Sequence, residues 1–422
     1  MFRRLNAPSA PLDFENLLKP TAPPTFFSEH WETQPLHIAR RSPHFYENLL
    51  TPTDLEFIIS TAYQLQKTSV ELLGRPESLS ALQHVRDTVR LSGLFDAYRQ
   101  GATIRVNGAF RYWQPLAALC REVEREFSFP VRANLYCTPA GAQGAALHYD
   151  THDVFVMQIG GRKYWRVFEP LVRLPLQSFP ALAFERAEDL EYRRGATRQP
   201  RVGIDHAKCG EPLFEVTLEA GDLLYLPRGF VHEARAENES SIHVSLGIHV
   251  LTWLDALTVA LGQAGNQVEE LRKSLPVGFA RRSDNWNGTD AKLSALAHDF
   301  ATRADGPAAL EEAAVNFISD QQWLGERVIS DSLIAIDLPP DAVVAHRRGL
   351  SLRCVVTGEA VLIISGQQTF SAPRLLLNTV RFIANTRQFK LSEIPGKLSE
   401  SGKKNLVKRL IQDGFLRVAV GG

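Results

Sequence analysis

The sequence predicts an α+β protein of more than one domain, with a run of short β-strands at its centre. At 422 residues the chain is too long for one ordinary hydrophobic core, so two or three domains are expected. Strand-like patterns dominate from about residue 131 to 250, and helical spacing of apolar residues dominates on either side. The strand-like segments are 131–138, 153–159, 162–168, 213–218, 222–226 and 241–250. Such a run is typical of a jelly roll, here the double-stranded β-helix of cupins.

Two amphipathic helices are predicted before this run of strands. Thr53 or Asp54 is a suitable N-cap for an apolar-periodic segment that contains Leu55 and Ile58. Residues 115–127 place apolar side chains along one side of a second helix. Both helices are expected to belong to the same domain as the strands.

The connections between the strands carry two further signals. Gly160-Gly161 separates two β-rich runs and predicts a β-hairpin over 153–168. The stretch 171–212 is rich in Pro, Arg and Glu and is predicted to cross the mouth of the barrel as a long loop, where substrate specificity usually resides. Together with the helices before them, these strands predict a first domain over 1–250.

A helical block is predicted over residues 251–330. Its expected helices are 254–264, 292–303 and 307–320. The apolar residues that recur at helical spacing are Leu254, Leu257, Leu261, Leu293, Leu296 and Ala297. A single barrel has no evident need for so much apolar helix surface, whereas a two-fold pair would bury it, so a homodimer is expected. The alternative is that these residues pack on their own barrel.

A third domain is predicted over 331–422. Residues 352–364 alternate like two strands around a turn at Gly358. Helices are expected at 374–385 and 401–412, and a terminal strand at 415–420. Two helices joined by a turn and followed by a strand are typical of a winged helix.

The overall charge excludes a strong electrostatic attraction to nucleic acid or membranes, because 47 basic residues balance 47 acidic ones. A local excess remains from Arg374 onward, with ten basic and three acidic residues. Four basic residues of the last predicted helix could contact phosphate, although a solvated helix face is the favoured interpretation. They are Lys403, Lys404, Lys408 and Arg409. Nucleic acid is therefore not an expected partner.

The cysteines and the N-terminus predict a cytoplasmic protein. The four cysteines are far apart and form no C-x-x-C pair, which argues against a disulfide framework or a cysteine zinc site. The first residues carry charge but lack the apolar core of a signal peptide. No stretch approaches the roughly 18 apolar residues that would span a bilayer.

The chemistry of the chain is indicated by His148 and Asp150, two residues apart, and by His232, 82 residues after Asp150. Since a strand returns side chains to one face every second residue, an H-x-D pair on a strand points both groups into one cavity. A histidine from another strand then completes the two-histidine, one-carboxylate set of non-heme Fe(II) oxygenases. Alone, the pair could equally be two unrelated polar residues. Its position among short strands favours the metal site.

Four segments resemble the JmjC oxygenases of the ribosomal-oxygenase branch. They are Ser-Glu-His-Trp-Glu-Thr-Gln-Pro-Leu-His-Ile (28–38), Asn-Leu-Tyr-Cys-Thr-Pro-Ala-Gly-Ala-Gln-Gly (134–144) running on to His-Tyr-Asp (148–150), Val-Met-Gln-Ile-Gly-Gly-Arg-Lys-Tyr-Trp-Arg-Val (156–167) and Gly-Asp-Leu-Leu-Tyr-Leu-Pro-Arg-Gly-Phe-Val-His (221–232). The resemblance covers the chain in outline, as a JmjC barrel, a helical dimerisation block and a winged helix. Its motifs are specific around the metal and only architectural beyond residue 250.

The resemblance implies an enzyme that uses Fe(II), 2-oxoglutarate and dioxygen to hydroxylate a protein side chain, which in this branch belongs to a ribosomal protein. His148, Asp150 and His232 would be the iron ligands. Lys163 falls where the family holds the distal carboxylate of 2-oxoglutarate. A lysine on a strand rich in aromatic residues also needs an anion if it is buried. The alternative is an outward lysine on a solvated face.

Other site residues follow from the same resemblance. Tyr136 and Arg105 match positions that line the substrate channel, and Asn134 shares a strand face with Tyr136. Where relatives place a serine that touches co-substrate or substrate, this chain has Gly247, and Ser245 on the same face could compensate. This departure puts histidine as the hydroxylated residue in doubt, but not the oxygenase chemistry.

Three other functions compete with this interpretation. The first is a cupin that uses another divalent metal without 2-oxoglutarate, against which Lys163 argues. The second is a winged-helix binding protein with a vestigial barrel, against which the complete ligand set and the balanced charge argue. The third keeps the chemistry but acts on a small peptide or metabolite, and the sequence leaves it open. His152 and Asp153, next to the ligands in sequence, are candidates for orienting them.

Overall fold

The computed structural model divides the chain at residue 250 into two units, Met1–Val250 and Leu251–Gly422. It describes residues 12–419 except 75–90, 145, 178–203, 205, 282–285, 322–327, 336–337, 340 and 348. Most of the predicted loop over 171–212 therefore lies outside the described residues. Within the described part of the chain, no helix is both long and apolar enough to cross a membrane.

Both helices predicted for the first unit are present, together with others that the sequence did not predict. The helices are α1 (Phe14–Leu18), α2 (Pro23–Glu29), α3 (Leu55–Leu65), α4 (Leu91–Arg99) and α5 (Gln114–Phe127), and the two predicted ones are α3 and α5. The short strands among them are β1 (Leu36–Ile38), β2 (Val70–Leu73) and β3 (Thr103–Val106). Asp54 is the N-cap of α3, as predicted, but its carboxylate accepts hydrogen bonds from the backbone and hydroxyl of Thr51, one turn earlier. The apolar side of α5 is buried, as its spacing predicts.

Two sheets form the body of the first unit. The remaining strands are β4 (Val131–Thr138), β5 (Asp153–Gly160), β6 (Lys163–Pro170), β7 (Phe214–Leu218), β8 (Leu223–Leu226), β9 (Phe230–Arg235) and β10 (Ser241–Ile248). One sheet has the order β1-β8-β5-β10-β4-β3-β2 and the other the order β7-β6-β9. Val154 and Leu224 from the large sheet pack against Trp165 and Val167 from the small one. The prediction of an α+β protein with jelly-roll sheets is confirmed.

The predicted hairpin over 153–168 is wrong. β5 pairs with β8 and β10, whereas β6 pairs with β7 and β9, so the two strands lie in different sheets. Gly160-Gly161 is a tight turn, and Gly161 has a φ of 62°. A Cβ atom on Gly161 would lie 1.8 Å from the carbonyl oxygen of Ser240. The glycines therefore let the chain pass close to the start of β10 as it crosses between sheets, which a turn signal cannot distinguish from a hairpin.

The second unit combines helices with two small sheets. Its helices are α6 (Trp253–Gln267), α7 (Glu269–Arg272), α8 (Thr289–Ala301), α9 (Gly306–Ser319), α10 (Val328–Ile334), α11 (Leu377–Asn385) and α12 (Glu400–Gln412). Its strands are β11 (Val343–His346), β12 (Arg353–Thr357), β13 (Ala360–Ser365), β14 (Gln368–Pro373), β15 (Gln388–Lys390) and β16 (Leu416–Val418). They form the sheets β15-β11-β16 and β12-β13-β14. The strand pair predicted around Gly358 is β12 and β13, and Gly358 has a φ of 45°.

The basic residues of α12 are partly neutralised within the helix. Lys403 lies 3.2 Å from a carboxylate oxygen of Glu400, and Arg409 donates to Asp413 over 2.7 Å. Pairs spaced three and four residues apart face each other on a helix surface. Both contacts favour the interpretation of a solvated helix face over that of a phosphate-binding one.

Candidate metal centre

His148, Asp150 and His232 come together in the first unit. Each offers one ligand atom, and these atoms all lie within 4.8 Å of one another. Nε2 of His148 is 4.0 Å from Oδ1 of Asp150, and Nε2 of His232 is 3.8 Å from Oδ2. Two atoms bound at about 2.1 Å to one ion are at most about 4.2 Å apart. The two pairs with Asp150 lie within this limit, so the three side chains can reach a single metal ion after small adjustments.

The backbone holds the two halves of this site together. His148 and His232 form an isolated antiparallel bridge, with N–H···O distances of 3.1 and 2.8 Å. The backbone N–H of Gly229 donates to the carbonyl of Asp150 over 2.9 Å. The predicted H-x-D strand is thus wrong, because the chain pairs with β9 at His148 and then bends away to enter β5. The convergence of the three groups does not need the strand.

Each histidine is oriented by a backbone carbonyl. Nδ1 of His148 is 2.7 Å from the carbonyl oxygen of Ala146, and Nδ1 of His232 is 3.0 Å from that of Phe230. A carbonyl oxygen can only accept, so Nδ1 carries the hydrogen in both rings. In each ring Nε2, which lies beside Asp150, is the nitrogen left to bind a metal ion. A hydrogen bond from the remote ring nitrogen is the usual way in which a protein fixes a metal-binding histidine.

Burial and charge favour the metal-binding protonation states. Burial, assisted by the neighbouring His148 ring, lowers the pKa of His232 to about 4. Burial acts to raise the pKa of Asp150, but the imidazoles of His152, His148 and His232 outweigh it and lower this pKa to about 2. Near neutral pH the site therefore holds a carboxylate and a neutral His232, which are the forms that bind metal.

Lys163 points into the interior between the two sheets. Its side chain is among the largest that are fully buried, with 1% of the residue exposed. Nζ donates to Oγ1 of Thr138 over 2.9 Å and lies 3.5 Å from Nδ1 of His243. Burial lowers the pKa of Lys163 to about 7. The predicted inward orientation is confirmed, and among the described residues no carboxylate forms an ion pair with this ammonium group.

A row of polar side chains crosses the large sheet beside Lys163. Tyr136 of β4 is directly opposite Arg105 of β3 and His243 of β10, so the three residues share one face. The rings of Tyr136 and His243 stack at 4.5 Å and 6°. Arg105 donates to the carboxylate of Glu71. The structure therefore places both predicted channel residues on the face that Lys163 approaches.

Asn134 and Ser245 lie one step further along the same face. They are directly opposite each other on β4 and β10. Oδ1 of Asn134 accepts from the backbone N–H of Gly108 over 2.9 Å. The predicted shared face is confirmed, but the amide oxygen of Asn134 is already used to hold the loop after β3.

Sequence reasoning missed two residues of this face, Thr138 and His243. Both follow the period of two that runs through residues already singled out, since Thr138 is two residues after Tyr136 and His243 is two before Ser245. Extending that alternation by one step in each strand would have found them.

Asp153 does not contact the candidate ligands, in contrast to the expectation from its position in sequence. Its carboxylate accepts from the Tyr225 hydroxyl over 2.7 Å and from Arg228 over 3.0 Å. Arg228 also contacts Glu32 at 2.5 Å. Arg228 precedes Gly229, whose N–H holds the backbone of Asp150. Asp153 therefore anchors the turn before β9 through Arg228, and this turn in turn holds the backbone of Asp150 through the N–H of Gly229.

Replacing Asp153 with alanine is expected to destabilise the fold. The change leaves the hydroxyl hydrogen of Tyr225 and one N–H of Arg228 without their acceptor in a buried place, at a cost of roughly 3 kcal/mol. Chemical denaturation of the metal-free protein measures this loss. Glu239→Ala is the matched control, because Glu239 pairs with Arg162 at an exposed site and should cost less than about 1 kcal/mol. Equal costs for the two variants would contradict the role of Asp153.

The family comparisons agree with the site. Residues 106–256 match the JmjC domain family. Ribosomal oxygenase 1 of Gallus gallus is 28% identical over 323 residues, which are 73% of this chain and 50% of that protein. The bifunctional lysine-specific demethylase and histidyl-hydroxylase NO66 of Dictyostelium discoideum is 26% identical over 377 residues, 84% of this chain and 69% of that protein. The chain thus spans about half the length of the Gallus gallus relative.

A solved structure extends the likeness of fold beyond the matched domain. Escherichia coli YcfD aligns with a TM-score of 0.52 at 17% identity, over 94% of this chain and 98% of that one. At this identity the likeness concerns the fold. With the domain match and the sequence relatives, the chain is a JmjC-domain protein related to the ribosomal oxygenases.

Proposed function

We propose that the chain is an Fe(II)- and 2-oxoglutarate-dependent oxygenase that hydroxylates a side chain of a ribosomal protein. The observation that carries the proposal is a set of two histidines and one carboxylate in the same barrel as a buried lysine without an acidic partner among the described residues. Two relatives named as ribosomal oxygenases support the substrate class. YcfD has also been solved with cobalt and 2-oxoglutarate, at a TM-score of 0.51 to this chain.

The candidate ligands fit iron by the chemistry of their donors. Two imidazole nitrogens and one carboxylate oxygen on one side of an ion leave its opposite positions open for a co-substrate and dioxygen. Bound iron would supply the activation of dioxygen. His148, Asp150 and His232 hold and orient the ion, and the backbone bridge between the histidines keeps their spacing.

Lys163 would bind the distal carboxylate of 2-oxoglutarate. Its ammonium group is desolvated, and its polar contacts among the described residues are Thr138 and His243, so a carboxylate would gain a charge-assisted hydrogen bond there. The hydroxyl of Thr138, 2.9 Å from Nζ, is placed to share the same carboxylate. Asn134 and Ser245 are proposed to line the co-substrate site, since they lie one step along the same sheet face.

Tyr136 and Arg105 would line the channel that admits the target side chain. Both are partly exposed and lie on the sheet face that carries His243. Arg105 is held by Glu71, and Tyr136 by stacking on His243, so neither side chain is free to swing. The two residues would position the target side chain and exclude water, and they would not transfer protons.

Anaerobic titration with Fe(II) and 2-oxoglutarate, followed by oxygen and mass spectrometry of total ribosomal proteins, tests the proposal. We expect saturable binding of 2-oxoglutarate that depends on the metal, release of succinate, and one oxygen atom added to a ribosomal protein. Absence of 2-oxoglutarate binding would contradict the proposal. Succinate release without modification of any ribosomal protein would indicate that the same reaction acts on a small peptide or metabolite instead.

We further propose the domain organisation of 1–250 for catalysis, 251–330 for dimerisation and 331–422 as a winged-helix-like domain. The last is supported by the three-stranded sheet β15-β11-β16 and the helices α11 and α12. None of the four cysteines, all of which are described, forms a disulfide, which supports a reducing compartment such as the cytoplasm.

The helical block is proposed to hold a homodimer together. Leu254, Leu257 and Leu261 on α6 and Leu293 on α8 are exposed in the single chain, which supports an apolar helix surface that a second copy could cover. Sedimentation at micromolar concentration should give twice the chain mass of 47.1 kDa. Leu257→Glu should shift the protein towards the monomer, because a charge would be buried in an apolar interface.

Leu375→Glu is the matched control for the dimer, since Leu375 is also exposed but lies outside this block. It should leave sedimentation unchanged. A wild-type protein that stays monomeric would refute the dimer and leave the oxygenase proposal standing.

A further inference from the structure

The turn between β8 and β9 contacts two of the three candidate ligands. The backbone N–H of Gly229 donates to the carbonyl of Asp150 over 2.9 Å, and the carbonyl oxygen of Phe230 lies 3.0 Å from Nδ1 of His232. The backbone N–H of Phe230 closes the turn on the carbonyl of Pro227 over 3.3 Å. Contacts that fix this turn therefore also fix the backbone of Asp150 relative to the ring of His232.

Arg228, within this turn, is held by two carboxylates. The residue is 6% exposed, and one terminal nitrogen, Nη1, donates both to Glu32 and to Asp153. The N–H bonds of a guanidinium lie in one plane and point in fixed directions, so two acceptors on one nitrogen fix the plane of the group. With Asp153 alone, the plane could rotate about a single hydrogen bond. Glu32 therefore supplies the contact that fixes the orientation of Arg228.

Glu32 is bound through its backbone as well as through its carboxylate. It lies between α2 and β1, 196 residues before Arg228. Its backbone N–H donates to the hydroxyl of Tyr225 over 3.1 Å, and this hydroxyl donates to the carboxylate of Asp153 over 2.7 Å. Glu32, Tyr225, Asp153 and Arg228 thus form a closed ring of hydrogen bonds, in which Tyr225 and Asp153 are fully buried. This ring connects the segment before β1 to the turn before β9.

The backbone of Glu32 adopts the left-handed conformation, with a φ of 55°. Residues other than glycine rarely adopt this conformation, because it costs free energy, and they keep it only where other contacts hold them. The contacts of Glu32 with Tyr225 and Arg228 offset this cost. Trp31 adds to them by stacking on the ring of Tyr225 at 6.1 Å and 25°. An unfavourable backbone conformation that is held in place next to a metal centre indicates a positioning role.

We propose that Glu32 is a positioning residue of the candidate metal centre, which acts through Arg228 on the turn that holds Asp150 and His232. The inference rests on the proposed function, in which these ligands bind the metal ion. The hydrogen bonds of Gly229 and Phe230 carry the effect from the turn to the ligands. Loss of the Glu32 carboxylate should therefore loosen the turn while the fold of the first unit is retained.

Hydrogen exchange of the metal-free protein tests the effect on the turn. Glu32→Gly is the main variant, because glycine favours the left-handed backbone and keeps the N–H, so that only the carboxylate is lost. We expect amide exchange at least about fivefold faster in peptides that cover 227–232, unchanged exchange in other peptides of the first unit, and a change in Tm of less than about 3 °C. Arg41→Gly is the matched control, because Arg41 is exposed and also has a positive φ, of 52°. It should leave the exchange of the turn unchanged.

Titration with Mn²⁺ alone, followed by electron paramagnetic resonance, tests the effect on the ligands. Glu32→Gly should lower the affinity for Mn²⁺ about three- to tenfold and alter the zero-field splitting of the bound ion, because the ligand set is complete but less well oriented. Glu32→Gln keeps the length of the side chain and an accepting oxygen, so it should restore most of the affinity. If Glu32→Gly does not unfold cooperatively, Glu32→Asn replaces it, since asparagine tolerates the same backbone conformation.

Wild-type exchange of the turn in Glu32→Gly would overturn the inference. Faster exchange throughout the first unit would also overturn it, because Glu32 would then stabilise the fold as a whole. A loosened turn with unchanged affinity for Mn²⁺ would show that the ring of hydrogen bonds does not serve the metal centre. A wild-type protein that binds no Mn²⁺ would instead refute the proposed function, and the exchange of the turn would then decide the inference alone.

Discussion

Replacing His232 with alanine is expected to abolish metal binding and 2-oxoglutarate turnover, while unfolding remains cooperative. The ring supplies one of three candidate ligands, and the hydrogen bond of its Nδ1 to the carbonyl of Phe230 orients Nε2 towards the site, so alanine removes both the donor atom and its orientation. His148→Ala should have the same result. Titration with Mn²⁺ followed by electron paramagnetic resonance measures the metal, and released succinate measures turnover.

The control for both variants is His44→Ala, because His44 is exposed and far in sequence from the site. It removes one histidine from the chain without touching the centre and should retain full metal binding. Succinate release at the wild-type rate by either His148→Ala or His232→Ala would overturn the ligand assignment. Loss of cooperative unfolding in one of them would show that the backbone bridge depends on the side chain.

The sequence was sufficient for several of the longer helices and strands and for the convergence of the site. β4 begins and ends where its alternation predicts, and His148, Asp150 and His232 meet as their residue types require. Local patterns could not indicate which sheet a strand joins. Gly160-Gly161 marks a turn whether the strands pair or part, and only long-range pairing with β8 and β9 separates β5 from β6.

The same limit explains why the role expected of Asp153 was wrong. Asp153 follows Asp150 closely in sequence, yet β5 begins at this residue and directs its carboxylate to Tyr225 and Arg228. His152, one residue earlier, does lie beside a candidate ligand, with Nε2 4.0 Å from Oδ1 of Asp150, and its ring also covers Gly247, 95 positions further along the chain. Proximity along the chain does not predict which side of a strand a residue takes at the point where the strand begins.

Replacing Lys163 with methionine is expected to weaken 2-oxoglutarate binding far more than metal binding. Methionine keeps most of the buried volume, so the loss reports the charge rather than the packing. Removing one partner of a buried charge pair costs on the order of 2–5 kcal/mol, which corresponds to roughly thirtyfold or more in affinity. Lys163→Ala should likewise weaken 2-oxoglutarate binding more than metal binding, and it should also lower the free energy of unfolding. Calorimetric titration of 2-oxoglutarate into the Mn²⁺-loaded protein measures the effect.

The pH dependence of the same titration separates a lysine that binds the carboxylate from one that only fills space. With a pKa of about 7 before the co-substrate binds, Lys163 is already protonated below this pH and the affinity is at its full value. Above it, binding must first add a proton, so the affinity should fall by up to about tenfold per pH unit. Lys163→Met should lose this slope, whereas Lys390→Met, at an exposed strand lysine, should keep it. A wild-type affinity for 2-oxoglutarate that does not change between pH 6.5 and 8.5 would contradict the assignment. So would equal weakening of metal and co-substrate binding in Lys163→Met. A buried amine that pairs with a carboxylate must be protonated to do so, and both its charge and its proton uptake must therefore affect the affinity.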